Sequence, residues 1–144
     1  MAAADVATEP SVSLTLEPDA PNPRVRMVLR GSVRGDDVAD AFIRLYDEHP
    51  ETAYYDRLFD LTAYTSGFGL GHLQRMAPAY ARANTDPSHP CRTALVTRDQ
   101  HMRLWSESMG YQFKGREHRA FASFDEAERF LAEPLAARRA FPLA

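Results

Sequence analysis

Apolar and polar positions alternate cleanly from Ser11 to Glu17. Val12, Leu14 and Leu16 point one way, and Ser13, Thr15 and Glu17 point the other. A period of two marks a half-exposed strand. The stretch Pro18-Asp19-Ala20-Pro21-Asn22-Pro23 is dense in turn formers and cannot continue a sheet. Alternation resumes from Arg24 to Val33, with Val25, Met27 and Leu29 on one face and Arg24, Arg26 and Arg30 interrupting the other. The two segments predict an antiparallel hairpin with a long loop. Its first strand is an edge, because its outer face is polar.

The period then lengthens. Gly35-Asp36-Asp37 reads as a helix start, since an Asp oxygen can accept from the free N–H groups of a first turn. Val38, Ala41, Phe42, Leu45 and His49 follow at helical spacing, and His49-Pro50 ends the helix. Tyr55 to Leu61 is a short β-rich run. Leu70 to Ala83 carries Leu73, Met76, Ala77, Tyr80 and Ala81 on one stripe, and Pro78 inside it predicts a kink or break. Arg92 to Thr97 reads as a buried strand. Asp99 then caps a helix that carries Met102, Trp105 and Met109 on one face and stops at Gly110. A brief strand over Arg119–Ala122 leads to Ser123-Phe124-Asp125-Glu126, which fits a capping box. Ala127, Phe130 and Leu131 follow, and Pro134 closes the last helix.

Strands and helices thus alternate after the hairpin. That order predicts an α/β domain: a mostly parallel five-stranded sheet with an antiparallel N-terminal edge strand and helices packed against it. Residues 1–10 read as a disordered lead-in, 11–134 as a single domain and 135–144 as a C-terminal tail.

Composition agrees with one domain. The chain has 144 residues, 44% of them apolar and 26% charged, enough for one core and short for two. A net charge of −3 gives no argument for nucleic acid, although the acidic groups crowd the first half and the second half is net basic. No stretch approaches the apolar length of a bilayer span. The first ten residues lack the basic and apolar segments of a signal peptide. The single cysteine, Cys91, excludes an internal disulfide and reads as a small buried residue. These points lead to the expectation of a cytoplasmic protein. Lys114 is the one lysine among seventeen basic residues, which fits a GC-rich bacterial coding sequence.

Three stretches resemble the SpoIIAA-like, or STAS, domain of anti-sigma-factor antagonists. They are Val28-Leu29-Arg30-Gly31 before the first helix, Arg57-Leu58-Phe59-Asp60-Leu61-Thr62, and Ala120-Phe121-Ala122-Ser123-Phe124-Asp125-Glu126-Ala127 with Phe130-Leu131. The resemblance runs from about Ser11 to Glu133 and implies a (βα)4 superhelix that acts as a non-enzymatic regulatory or protein-binding module. In that family a regulated serine opens the helix after the third strand. Here Thr65-Ser66-Gly67-Phe68-Gly69-Leu70 occupies that place, which makes Ser66 the phosphorylation candidate. The acid that precedes the family's serine is Thr65 here, and Phe68-Gly69 is additional before the leucine. Ser66 equally serves as a helix cap or turn residue.

In open parallel sheets ligands gather outside the carboxyl ends of the strands. Asp60, Thr62, Ser66, Gly67, Gly69, His72, Thr97 and Arg98 therefore form the candidate binding surface. The plainer role for Asp60 is to accept hydrogen bonds from loop backbone. Gly67, Gly69 and Gly71 lack the spacing and context of a dinucleotide or phosphate loop and read as a close-packed turn. No His-x-x-x-His pair, nucleophile elbow or metal-type cluster occurs among the five histidines and the lone thiol, so no metal, cofactor or catalytic residue is expected. Tyr80, Met102 and Trp105 are either core or the lining of a pocket between sheet and helices. The second reading makes the domain a carrier or sensor of a small apolar or lipid-like ligand, which the SpoIIAA resemblance permits. A homodimer through the first strand or through helices is compatible with this layout.

Overall fold

The computed structural model of the protein describes residues 9–20, 22–65, 67, 69–86, 89–109, 113 and 115–133, with backbone alone at 107–109. Most of the lead-in, the tail, Ser66, Gly110 and Pro134 lie outside the described residues.

Strand β1 (Ser11–Glu17) runs antiparallel to β2 (Arg24–Gly31), with Ser11 opposite Arg30 and Glu17 opposite Arg24. Strands β3 (Asp56–Tyr64), β4 (Cys91–Val96) and β5 (Arg116–Phe121) continue the sheet in parallel, in the order β1-β2-β3-β4-β5. The crossovers are α1 (Gly35–Glu48) with a 3-10 turn (Pro50–Tyr54), α2 (Leu70–Ala83) and α3 (Gln100–Met109). Helix α4 (Phe124–Leu131) follows β5. The five-stranded, mostly parallel sheet with its antiparallel edge is the architecture that the alternation predicts.

Residue alternation sorts the core into two layers. Val25, Met27, Leu29, Phe59, Leu61 and Leu95 face α1, α2 and α3, where they meet Phe42, Leu73, Met76, Tyr80 and Met102. Leu58, Ala94 and Val96 point through the other face onto Ala127, Phe130 and Leu131 of α4. Every residue of β4 is buried, as a central parallel strand with both faces covered requires.

Several boundaries differ from expectation for identifiable reasons. β2 ends at Gly31, whose φ of 62° turns the chain where other residues would be strained. Arg34, not an aspartate, holds the N-cap position of α1 and makes no side-chain cap bond, because a guanidinium has no acceptor, while Asp36 inside the first turn accepts from Arg75. Tyr46 and Ala39 belong to the buried stripe of α1, while His49 is exposed. Pro78 lies on the exposed side of α2, and the helix runs through it unbroken. A proline there leaves one backbone carbonyl open toward water, where solvent satisfies it. At α4 the capping box forms in a variant way. The Ser123 hydroxyl accepts from Glu126 N–H (3.3 Å) and donates to the Glu126 carboxylate (3.0 Å).

Arg24 ties three elements together. It meets Glu17 of β1 at 2.6 Å, and its two terminal nitrogens grip both carboxylate oxygens of Glu128 on α4. Arg24, foremost, holds the Glu17 carboxyl below its ordinary range, and the Glu128 bond, foremost, raises the Arg24 guanidinium above its own. Both carboxylates are partly solvated, which discounts the gain. Arg24→Met is expected to cost about 1 kcal/mol, a fall in Tm of about 3 °C. Glu17 has a depressed folded pKa, so its share is present above the unfolded value. The difference between wild type and Glu17→Gln should shrink as pH falls below about 4.3, read by thermal unfolding across pH.

Candidate functional site

The carboxyl ends of the parallel strands form one rim, and most of the expected surface residues collect there. Asp60 lies in register with Val96, one residue before Thr97. Its Oδ1 accepts from the backbone N–H (3.0 Å) and the hydroxyl (2.6 Å) of Thr62, an Asx-type closure inside β3 where its pairing with β2 shifts register. Thr97 is buried, and its Oγ1 accepts from Asp99 N–H (3.1 Å). Asp99 in turn accepts from His101 N–H (2.9 Å), the helix cap that the sequence predicts. Thr97 therefore braces the start of α3 from inside, while Arg98 beside it is exposed.

His72 closes the start of α2. Its Nδ1 accepts from Gly69 N–H (3.0 Å), and its own backbone N–H donates to Gly69 O (3.1 Å). The imidazole lies so close to Gly35 that a Cβ there would fall 2.5 Å from the ring. Beyond the ring, Asp36 stands 3.7 Å from His72 Nε2 and accepts from Arg75 (2.9 Å), which also reaches Asp40 (2.6 Å). These contacts lock the first turns of α1 and α2 together.

The glycine-rich stretch is not the close-packed turn that the sequence suggests. Gly67, Gly69 and Gly71 are exposed, none has a positive φ, and a Cβ on any of them would meet nothing within 4 Å. Their backbone lies uncovered beside Leu70, which is 47% exposed. Ser66 itself lies outside the described residues.

Tyr80 and Met102 sit in the core, and the Tyr80 ring makes edge contacts with Tyr46 and Phe113. Trp105 is partly buried against the same cluster. Among the described residues no group of His, Cys, Asp and Glu converges as a metal site. No described helix is long and apolar enough to cross a membrane.

A second polar assembly lies at the opposite, amino ends of the strands. Register places Arg57 of β3 beside Thr93 of β4, and Thr93 beside His118 of β5, in one row on the α1–α2 face. Arg116 precedes His118 by two residues and shares that face. Its guanidinium donates to the carbonyls of Ala53 (2.8 Å), Tyr55 (2.7 Å) and Arg92 (3.2 Å) and to the Thr93 hydroxyl (3.2 Å). Arg57 is only 2% exposed, and its guanidinium carbon lies 5.1–5.6 Å from the ring centres of Phe42, Tyr46 and Tyr80. Burial, then the charge of Arg116, lowers the Arg57 pKa from its usual value. Burial of the ring, then Arg116 and Arg57, pushes His118 well below the ordinary histidine range.

In the sequence Arg116 and His118 do not stand out, and Arg57 figures only within a family-like stretch. The available signal is period two: Arg57-x-Phe59-x-Leu61 and Arg116-x-His118-x-Ala120 each place a basic residue on the core face of a strand.

No protein-family model matches this sequence, and no curated protein matches it. Among solved structures, it is similar to an uncharacterized protein from the DUF3478 family with a SpoIIAA-like fold, from Shewanella loihica PV-4. The TM-score is 0.58 at 12% identity, over 85% of this chain and 95% of that one. An anti-sigma factor antagonist from Mycobacterium paratuberculosis aligns with a TM-score of 0.46 at 13% identity, over 85% of this chain and 96% of that one. The chain has a SpoIIAA-like α/β fold.

This geometry has two measurable consequences. Gly35→Ala should be more favourable by about 1 kcal/mol in a His72→Ala background than in wild type, measured by a double-mutant unfolding cycle, because the clash and the lost cap both act through His72. His118 has a depressed folded pKa, so its stabilisation is complete above the unfolded value and declines as pH falls. Unfolding free energy should begin to drop below about pH 6.5, by at most about 1.4 kcal/mol per pH unit. His118→Gln should flatten that slope.

Proposed function

We propose that this domain is a non-catalytic regulatory module that binds a protein partner through its carboxyl-end rim, centred on Leu70 with Gly67, Gly69 and Gly71. The observation that carries this reading is the uncovered patch at the start of α2. Leu70 is 47% exposed beside three glycines whose backbone nothing covers. Glycine there answers no demand of backbone conformation or internal packing, so its smallness leaves room for a visiting surface. The polar side chains of the rim support binding more than chemistry. Asp60 is engaged by Thr62, and His72 by Gly69.

Ser66 is the proposed point of control. A phosphate there adds about −1.5 to −2 charges at pH 7 four residues before α2, a helix whose Arg75 is paired with Asp36 and Asp40. Such a change alters partner affinity without disturbing the core.

A photo-crosslinking residue placed at position 70 tests the surface against the same residue at Glu51, an exposed position before the amino end of β3. The expected result is one discrete protein adduct from position 70 in the native cell, none from position 51, and at least tenfold loss of the copurified partner in Leu70→Glu. Equal labelling from both positions, or no adduct from position 70, contradicts the proposal.

A further inference from the structure

The amino-end assembly has an imbalance that the rim lacks. Arg57 is among the largest fully buried side chains of the domain, yet no carboxylate stands against it among the described residues. Asp56, its neighbour in sequence, points through the opposite face of the sheet, where its Oδ1 accepts from Arg92 N–H (2.9 Å). The groups that do surround Arg57 are rings and other cationic or neutral donors: Phe42, Tyr46, Tyr80, Arg116 and His118.

The unsatisfied atoms have a definite geometry. Nε and Nη2 of Arg57 are both buried without a hydrogen bond of normal geometry, as are the hydroxyl of Tyr46, which lies against the guanidinium, Nδ1 of His118 and Nε of Arg116. Nε and Nη2 share one edge of the guanidinium plane. That edge carries the paired, parallel N–H groups that fit two oxygens of one carboxylate or phosphate. Ring faces stabilise a guanidinium through its charge, but they offer no acceptor to an in-plane N–H. Buried donors without acceptors are costly and rare in folded proteins, and here several meet in one place with uncompensated positive charge.

We infer that the Nε–Nη2 edge of Arg57, with the Tyr46 hydroxyl beside it, is a binding site for an oxyanion, a carboxylate or phosphate group of a small molecule. Arg116 contributes positive field from the adjacent register position, and its terminal nitrogens stay bound to backbone carbonyls. Because Arg57 is only 2% exposed, an anion reaches the edge when a ring of the aromatic cage swings aside, so exchange is slow. The site lies at the end of the sheet opposite the proposed partner rim and stands independently of that proposal.

The test is a titration of arginine-labelled protein followed by the 15N signals of the Nε–H groups, with inorganic phosphate and acetate as separate probes and chloride at matched ionic strength. Arg57→Lys assigns the Arg57 signal. Expected is a saturable movement or replacement of that signal with at least one oxyanion, while exposed Arg98 does not respond. Response to phosphate alone assigns a phosphate site, and response to acetate alone assigns a carboxylate site. A parallel thermal series should show an oxyanion-specific rise in Tm for wild type that Arg57→Met loses. If neither probe moves the Arg57 signal at millimolar concentration, or all arginines respond alike, the inference is overturned and the rings alone hold the charge. Should either variant fail to fold, the wild-type titration still decides: Arg57, Arg92 and Arg116 carry buried Nε atoms, and Arg92→Lys and Arg116→Lys identify their own signals and leave that of Arg57.

Discussion

At the centre of this domain's sheet a guanidinium is buried with no carboxylate against it among the described residues. Arg57 lies on β3, the central strand, and the rings around it come from α1 and α2. Both helices pack over the sheet there, with Tyr46 and Tyr80 meeting edge to face beside the charge. Arg116 performs the complementary task on β5, joining the start of that strand to the 3-10 turn before β3 through carbonyls rather than acids. A further buried arginine, Arg92, serves the opposite face in a more ordinary way, bonding Phe130 O (2.6 Å) and Glu133 (2.8 Å). The contrast between Arg92, which has its acid, and Arg57, which has none among the described residues, separates a structural role from the proposed receptive one.

The two ends of the sheet consequently differ in kind. At the carboxyl end, polar side chains close turns and cap helices, and what remains outward includes uncovered backbone and the exposed apolar side chains Leu70 and Phe124. At the amino end, polar side chains point inward. Parallel strands make this division possible, because every strand delivers its first residues to one end and its last residues to the other.

Much of this architecture is legible in the chain. The alternation of Val12, Leu14 and Leu16 against Ser11, Ser13 and Thr15 marks β1 as an edge, and the register shows it so. Leu70–Ala83 and the Ser123 cap also follow directly from spacing. What the chain hides is set by tertiary context. The brief strand read at Arg119–Ala122 begins three residues earlier, because pairing with β4 draws Arg116-Glu117-His118 into it and buries Arg116. Asp36 looks like a cap, but a helix that lies next to it supplies Arg75, a stronger partner than backbone N–H. The three glycines look like a packed turn, and only the arrangement of neighbours in space shows that nothing packs there. The rim follows from topology, whereas the Arg57 row depends on strand register, which no single segment specifies.

The central claim is that Arg57 is kept for what its charge can hold and not for folding. Urea unfolding of Arg57→Met against wild type, in buffer free of carboxylates and phosphate, measures this directly. Replacing an uncompensated buried charge with an apolar side chain of similar length should leave the unfolding free energy unchanged or raise it. A loss of about 3 kcal/mol or more would contradict the claim, because it would mean that the guanidinium already has its full set of partners within the fold.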